Sequence, residues 1–177
     1  MKNLLYLPLV AIAILFFSCG DDDDSPEIGL SGMVTFDSSS TEMSDGLIVD
    51  YGSFIDETYN YDFYLGNGTI EINENTGTQS TGGTLILLEL YNNGSSFSPG
   101  TFTIHSVFDD IDNDERYGYV AFTNKDFSNL NSAGGTVKIE GSGQSYTITL
   151  DVEFSNGKTL TGSVEGGFRL EEAITID

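Results

Sequence analysis

The sequence predicts an all-β protein: an antiparallel β-sandwich of about nine or ten strands, with an up-and-down, lipocalin-like barrel as the alternative. Three observations lead there. Turn signals recur at roughly 10-residue intervals, which is sandwich or barrel spacing. No long stretch repeats with the helical period. Gly, Thr, Ser, Asn, Tyr and Phe are all plentiful after position 28, and they favour strands and turns over helices.

The N-terminus comes first in the chain and is different in kind. Lys2 is a short positive start, and Leu4 to Phe17 form an apolar run broken only by Pro8. Crossing a bilayer takes about 20 apolar residues, so this run reads as the core of a signal peptide. Ser18 then precedes Cys19, the one cysteine of the chain. That order resembles the lipobox of bacterial lipoproteins, in which cleavage precedes a Cys that carries acyl chains. Phe16 and Phe17 stand where the lipobox has Leu or Val and a small residue, which keeps cleavage by signal peptidase I as the alternative. The resemblance implies that Cys19 is an anchor rather than a nucleophile, since two or more chains hold a protein on a membrane.

Asp21, Asp22, Asp23 and Asp24 follow. An acidic block behind the lipidated Cys resembles the export signal that places Bacteroidota lipoproteins on the outer face of the cell; the alternative is a solvated linker. The predicted organisation is a signal peptide at 1–18, a lipidated Cys and acidic tether at 19–28, and one all-β domain at 29–177. With 28 acidic residues against six basic ones, the net charge of −22 repels nucleic acid and anionic lipid surfaces and suits solubility or cations.

Predicted strands cover 29–37, 47–54, 58–65, 69–74, 83–91, 101–108, 117–123, 134–141, 144–154 and 158–169. Tyr146 to Phe154 alternates without error, apolar at even positions and polar at odd ones, so one face is core and one is wet. That parity selects the next turn. A two-residue Asn156-Gly157 loop would put Leu160 and Val164 on the acidic face. A three-residue loop, Ser155-Asn156-Gly157 with Gly157 left-handed, pairs Val152 with Leu160 and Ile148 with Val164. On the other side, a Ser142-Gly143 loop pairs Ile139 with Tyr146 and Val137 with Ile148. A two-residue Asn67-Gly68 loop pairs Leu65 with Ile70 and Phe63 with Ile72. Leu85-Ile86-Leu87-Leu88 lacks alternation, which predicts a central strand covered on both faces.

Four segments then carry a resemblance: Ser98-Pro99-Gly100-Thr101-Phe102, Gly134-Gly135-Thr136-Val137-Lys138-Ile139, Tyr146-Thr147-Ile148, and Asn156 to Gly162. Together they resemble outer-membrane and surface lipoproteins of Bacteroidota with all-β domains. The resemblance covers roughly the C-terminal half and brings no catalytic residues with it.

Among candidate sites, Asp109 to Glu115 is the densest acidic cluster. Asp110, Asp112 and Asp114 have the alternate spacing at which carboxylates converge on Ca²⁺. An EF-hand would need Gly and Glu where Glu115 and Ala121 stand, so the choice is a looser calcium site or a solvated hairpin loop. His105, the one histidine, lies opposite the Phe102/Ile104 face and is predicted exposed; alone it makes neither a zinc site nor a Cys-His pair. Tyr59, Tyr61 and Phe63 alternate as a core face does, with Tyr64 and Tyr91 left for the surface. Paired carboxylates for glycoside hydrolysis find no singled-out pair. The functional expectation is a non-catalytic outer-membrane lipoprotein facing the cell exterior. It would bind an extracellular glycan or protein partner and no nucleic acid, with Ca²⁺ the one candidate cofactor. A small-molecule carrier is the alternative.

Overall fold

The computed structural model describes residues 28–53, 57–73, 77–107 and 115–172, and they are built of strands and turns. The strands are β1 (Gly29–Phe36), β2 (Ser39–Glu42), β3 (Asp45–Ser53), β4 (Thr58–Gly66), β5 (Ile70–Asn73), β6 (Gly77–Ser80), β7 (Leu85–Asn93), β8 (Gly100–Ile104), β9 (Arg116–Thr123), β10 (Leu130–Ser142), β11 (Ser145–Phe154), β12 (Thr159–Gly167) and β13 (Arg169–Glu172). Eleven form one mixed sheet in the order β13-β3-β4-β7-β9-β8-β10-β11-β12-β1-β2, while β5 and β6 pair with each other. The all-β prediction holds. Instead of two packed sheets, one continuous hydrogen-bonded sheet curls around the core.

The curl brings the ends of the sheet together. Residues 39–53 behave as one long strand in two parts, β2 against β1 and β3 against β4. Between the parts, the Met43 N–H donates to Gly32 O at 3.0 Å and the Ser44 N–H to Gly66 O at 2.9 Å. The chain does the same at its other end: β12 pairs with β1, and beyond Phe168 β13 runs parallel to β3. Closing the wall in this way leaves few unpaired edges, which an open sheet of this width would expose.

The two parallel pairings, β13 with β3 and β8 with β9, lie where antiparallel neighbours part. β10 leaves β9 after Leu130 and Asn131 and takes β8 as partner from Thr136. Ser132, buried at this parting, accepts the Val120 N–H at 3.0 Å and donates to His105 O at 2.7 Å. Both backbone groups are thereby satisfied where the ladder opens.

Aromatic rings fill the interior. Phe36 stacks on Phe122 at 4.2 Å, with Phe154 edge-on at 5.7 Å, towards one end. Towards the other, Phe97 reaches in from the loop after β7, stacking on Tyr61 at 4.4 Å and Phe102 at 5.9 Å. Asn92, buried beneath that loop, donates to Ser96 O and accepts the Ser98 N–H, both at 3.0 Å. Its amide therefore holds Phe97 in place.

Parity served one turn fully and one in part, and failed at the third. Val152 pairs with Leu160 and Ile148 with Val164, and Gly157 stands at φ 77°, as the three-residue loop requires. The preceding loop is Gly143-Gln144 rather than Ser142-Gly143, so Ile139 pairs with Ile148 and Val137 with Leu150. A shift of two residues keeps every side chain on its face, so parity could not detect it; Gly143, at φ 64°, takes the first turn position, where positive φ is needed.

Asn67-Gly68 does not close a hairpin. Both sides of β4 are occupied, by β3 and β7, so Leu65 pairs with Gly46 and Ile86. The chain instead leaves the sheet to form the β5–β6 flap. Asn67 ties its neck, donating to Gly82 O at 3.1 Å and accepting the Thr84 N–H at 2.9 Å. The polar strands β2 and β6 went unforeseen, and the predicted 158–169 strand divides at Phe168.

The flap explains why β7 lacks alternation. Its Ile86, Leu88 and Leu90 are fully buried inside, while on the outer face Leu85 packs with Tyr64 against a second apolar cluster of Leu47, Val49 and Ile70. Asp45 fastens this cover by accepting the Ile70 N–H at 2.7 Å and pairing with Arg169 at 3.0 Å, and Arg169 also donates to Ile70 O.

Candidate ligand-binding face

Beyond the flap, the outer face of β3, β4, β7 and β9 departs from a solvated surface. Register places Val49, Asp62, Glu89 and Tyr119 in one row across the four strands, with Asn60, Tyr91 and Tyr117 in the row beside it. Asp62 and Glu89 are thus direct cross-strand neighbours, an arrangement that is unfavourable for like charges. Asp62 is only 5% exposed although its side chain points away from the core.

Burial, with Glu89 beside it, pushes the Asp62 carboxyl up to about 7, against the Asn60 amide, which donates to it at 3.2 Å. The Tyr91 hydroxyl donates to Glu89. Desolvation raises the tyrosines of this face as well: Tyr51, Tyr64, Tyr91 and Tyr117 all move above the ordinary phenol value. They stay protonated and serve as hydroxyl donors. Tyr91 and Tyr117 stack at 5.0 Å and 11°, and Tyr119 meets them edge-on at 6.3 and 6.4 Å. Tyr51, at the bulge of β3 and 48% exposed, hydrogen-bonds Tyr64, which also bonds Thr78 of the flap.

A hollow of about 250 Å³ continues this face beneath the flap, lined by Tyr64, Thr78, Leu87, Ala121 and Asn129 among others. Chemically the whole is a platform of rings with two central carboxylates and a sheltered recess, which is how sites for small polar ligands are built. A larger hollow of about 690 Å³ lies over β1, β10, β11 and β12, lined by Leu30, Ser31, Glu140, Tyr146, Glu165 and Gly166 among others. Gly166, at φ 144°, lies so close to β1 that a Cβ would overlap Gly29 O. The one ring lining this hollow, Tyr146, is buried in the core, so the hollow has no ring platform.

Cys19, Asp21 to Asp24, and the acidic loop with Asp110, Asp112 and Asp114 lie outside the described residues. Among the described residues, no group of three or more His, Cys, Asp or Glu is placed to hold a metal. His105 is half-buried just beyond β8, not exposed, and its backbone N–H donates to Gly118 O at 3.0 Å. Of the three residues predicted as a core face, Tyr61 and Phe63 are buried and Tyr59 is partly buried against the same core, while Tyr64 and Tyr91 are half-buried by their neighbours on the outer face.

The pair Asp62 and Glu89 escaped the sequence reading. One signal was available: Glu89 interrupts the apolar run Leu85 to Leu90 in a strand read as covered on both faces. Fold and face together define a filled β-barrel with an aromatic, acidic platform on its outer wall. The chain matches no family model, no curated protein and no solved structure.

Proposed function

We propose that the protein is a lipid-anchored module on the cell exterior that binds an extracellular glycan, without catalysis, on the outer tyrosine face. The observation that carries this reading is the stacked Tyr91–Tyr117 pair with Tyr119, set around Asp62 and Glu89 beside a recess. Sugar rings present C–H faces that pack on aromatic rings and hydroxyls that donate to carboxylates. Two adjacent carboxyls of different acidity also suggest acid–base chemistry, but a general acid must come within hydrogen-bond reach of the scissile bond. Asp62 lies too deep for that at 5% exposure.

The test is a glycan array probed with the purified full-length lipoprotein in detergent, alongside Tyr117→Ala. A glycan bound by the parent and lost in the variant supports the reading; an array with no bound glycan overturns it. Attachment is tested separately. Cys19→Ala should release the protein from the membrane fraction, and replacing Asp21 to Asp24 with Ala should lower its accessibility to external protease on intact cells. A Cys19→Ala protein that still sediments with membranes rules out the anchor.

A further inference from the structure

The tyrosine face has an unmatched charge. Asp62 and Glu89 oppose each other across β4 and β7, and their hydrogen-bond partners, Asn60 and Tyr91, are neutral. Among the described residues, the ion pairs join Lys138 to Glu140, Lys158 to Asp37, and Arg169 to Asp45 and Glu171; none reaches this face. The surrounding field has the same sign, at −22 overall. Three tyrosine rings flank the carboxylates, and ring faces attract cations as carboxylates do.

We propose that the glycan held here carries free primary amines: it is a hexosamine polymer whose ammonium groups sit among the Tyr91, Tyr117 and Tyr119 rings and donate to Glu89, the half-buried member of the pair, with Asp62 buried beside it. The inference rests on the glycan reading and adds the charge of the ligand. An ammonium brings three donors to the Glu89 oxygens and the missing countercharge. A neutral sugar leaves the Glu89 charge unmatched beside a protonated Asp62, and a uronate adds a second negative group. Because an ammonium favours the ionised form of its neighbours, its binding should expel the proton that Asp62 holds near neutral pH.

Isothermal titration of the full-length protein at pH 6 and low salt, with three tetrasaccharides on one β-1,4 backbone, isolates the amine. These are the glucosamine tetramer, its N-acetylated form and cellotetraose. The glucosamine tetramer should bind at least about tenfold more tightly than the other two. Its affinity should fall as salt is added, and its apparent heat should vary with the buffer's ionisation enthalpy, which reports proton release. Glu89→Gln should cost it about tenfold and should cost cellotetraose less, because a hydroxyl can still donate to the amide oxygen whereas an ammonium loses its countercharge. If that variant does not fold, the three-ligand comparison on the parent protein still decides. Equal affinity for all three overturns the amine inference and leaves glycan binding intact; no binding by any of them, with an empty array, overturns both.

Discussion

Two walls of the barrel face outward under different rules. In β11, buried positions alternate with Thr149, Asp151 and Glu153, which are exposed. In β4, the corresponding outward residues Asn60 and Asp62 are buried, and so are the inward Tyr61 and Phe63. Asp151 and Asp62 both sit mid-strand, on the outer face of one barrel, as the same side chain. Water solvates the first, whereas Val49, Glu89 and nearby tyrosines surround the second. Strand pattern alone thus says which way a residue points, and the cover over that face decides its chemistry.

The comparison can be broken or sharpened by experiment. The largest effect belongs to the core that both walls share. Phe63 meets the rings of Tyr61, Phe97, Tyr146 and Phe168 within 5.2 to 5.6 Å, so Phe63→Ala should cost roughly 3–5 kcal/mol in urea denaturation. A loss below about 1 kcal/mol would mean that the walls do not share one packed interior.

Next comes the pair of aspartates. Folded Asp62 holds its proton to about pH 7, whereas the unfolded chain releases it near 3.8. Between these values the unfolded state binds fewer protons, so the contribution of Asp62 is fully present below about pH 4, falls as pH rises, and levels off above 7. The drop is roughly 4 kcal/mol. The groups facing it are Glu89, Asn60, Tyr51 and Tyr64. Asp62→Asn should therefore exceed the parent in stability at pH 8 and come close to it at pH 4. Asp151→Asn should change stability by less than about 0.5 kcal/mol. Matching behaviour from the two variants would erase the distinction between the walls.

Smaller effects follow at the edges of each wall. Gly157→Val, forced to φ 77°, should destabilise by about 1–2 kcal/mol, as thermal denaturation can measure. On the opposite wall, Asp45→Ala removes the acceptor that joins Ile70 and Arg169. It should cost roughly 1 kcal/mol, with faster amide exchange at Ile70 than in β11. Unchanged exchange at Ile70 would show that the flap is held by its apolar contacts alone.

Much of the wall built by β10, β11 and β12 was legible because its information is local. Alternation in Tyr146 to Phe154 assigned both faces, and parity across one turn chose the loop at Gly157. The tyrosine wall depends on long-range partners. The sequence near Asn67-Gly68 has good hairpin chemistry, yet β3 and β7 already occupy both edges of β4, so the flap forms instead. Nor could local pattern foresee that 39–53 and 159–172 would each serve two neighbours and close the barrel.

By itself, the sequence determined the strand-forming composition, the direction of each side chain in well-alternating strands, and the acidic balance. These follow from residue type and a period of two. Tertiary structure alone decided that Asp62 and Glu89 become neighbours, because they stand 27 positions apart and meet only through the β4–β7 register. It also decided that an aspartate on an outward face should be buried and hold its proton, because desolvation is set by the Val49, Glu89 and tyrosine side chains that folding assembles around it.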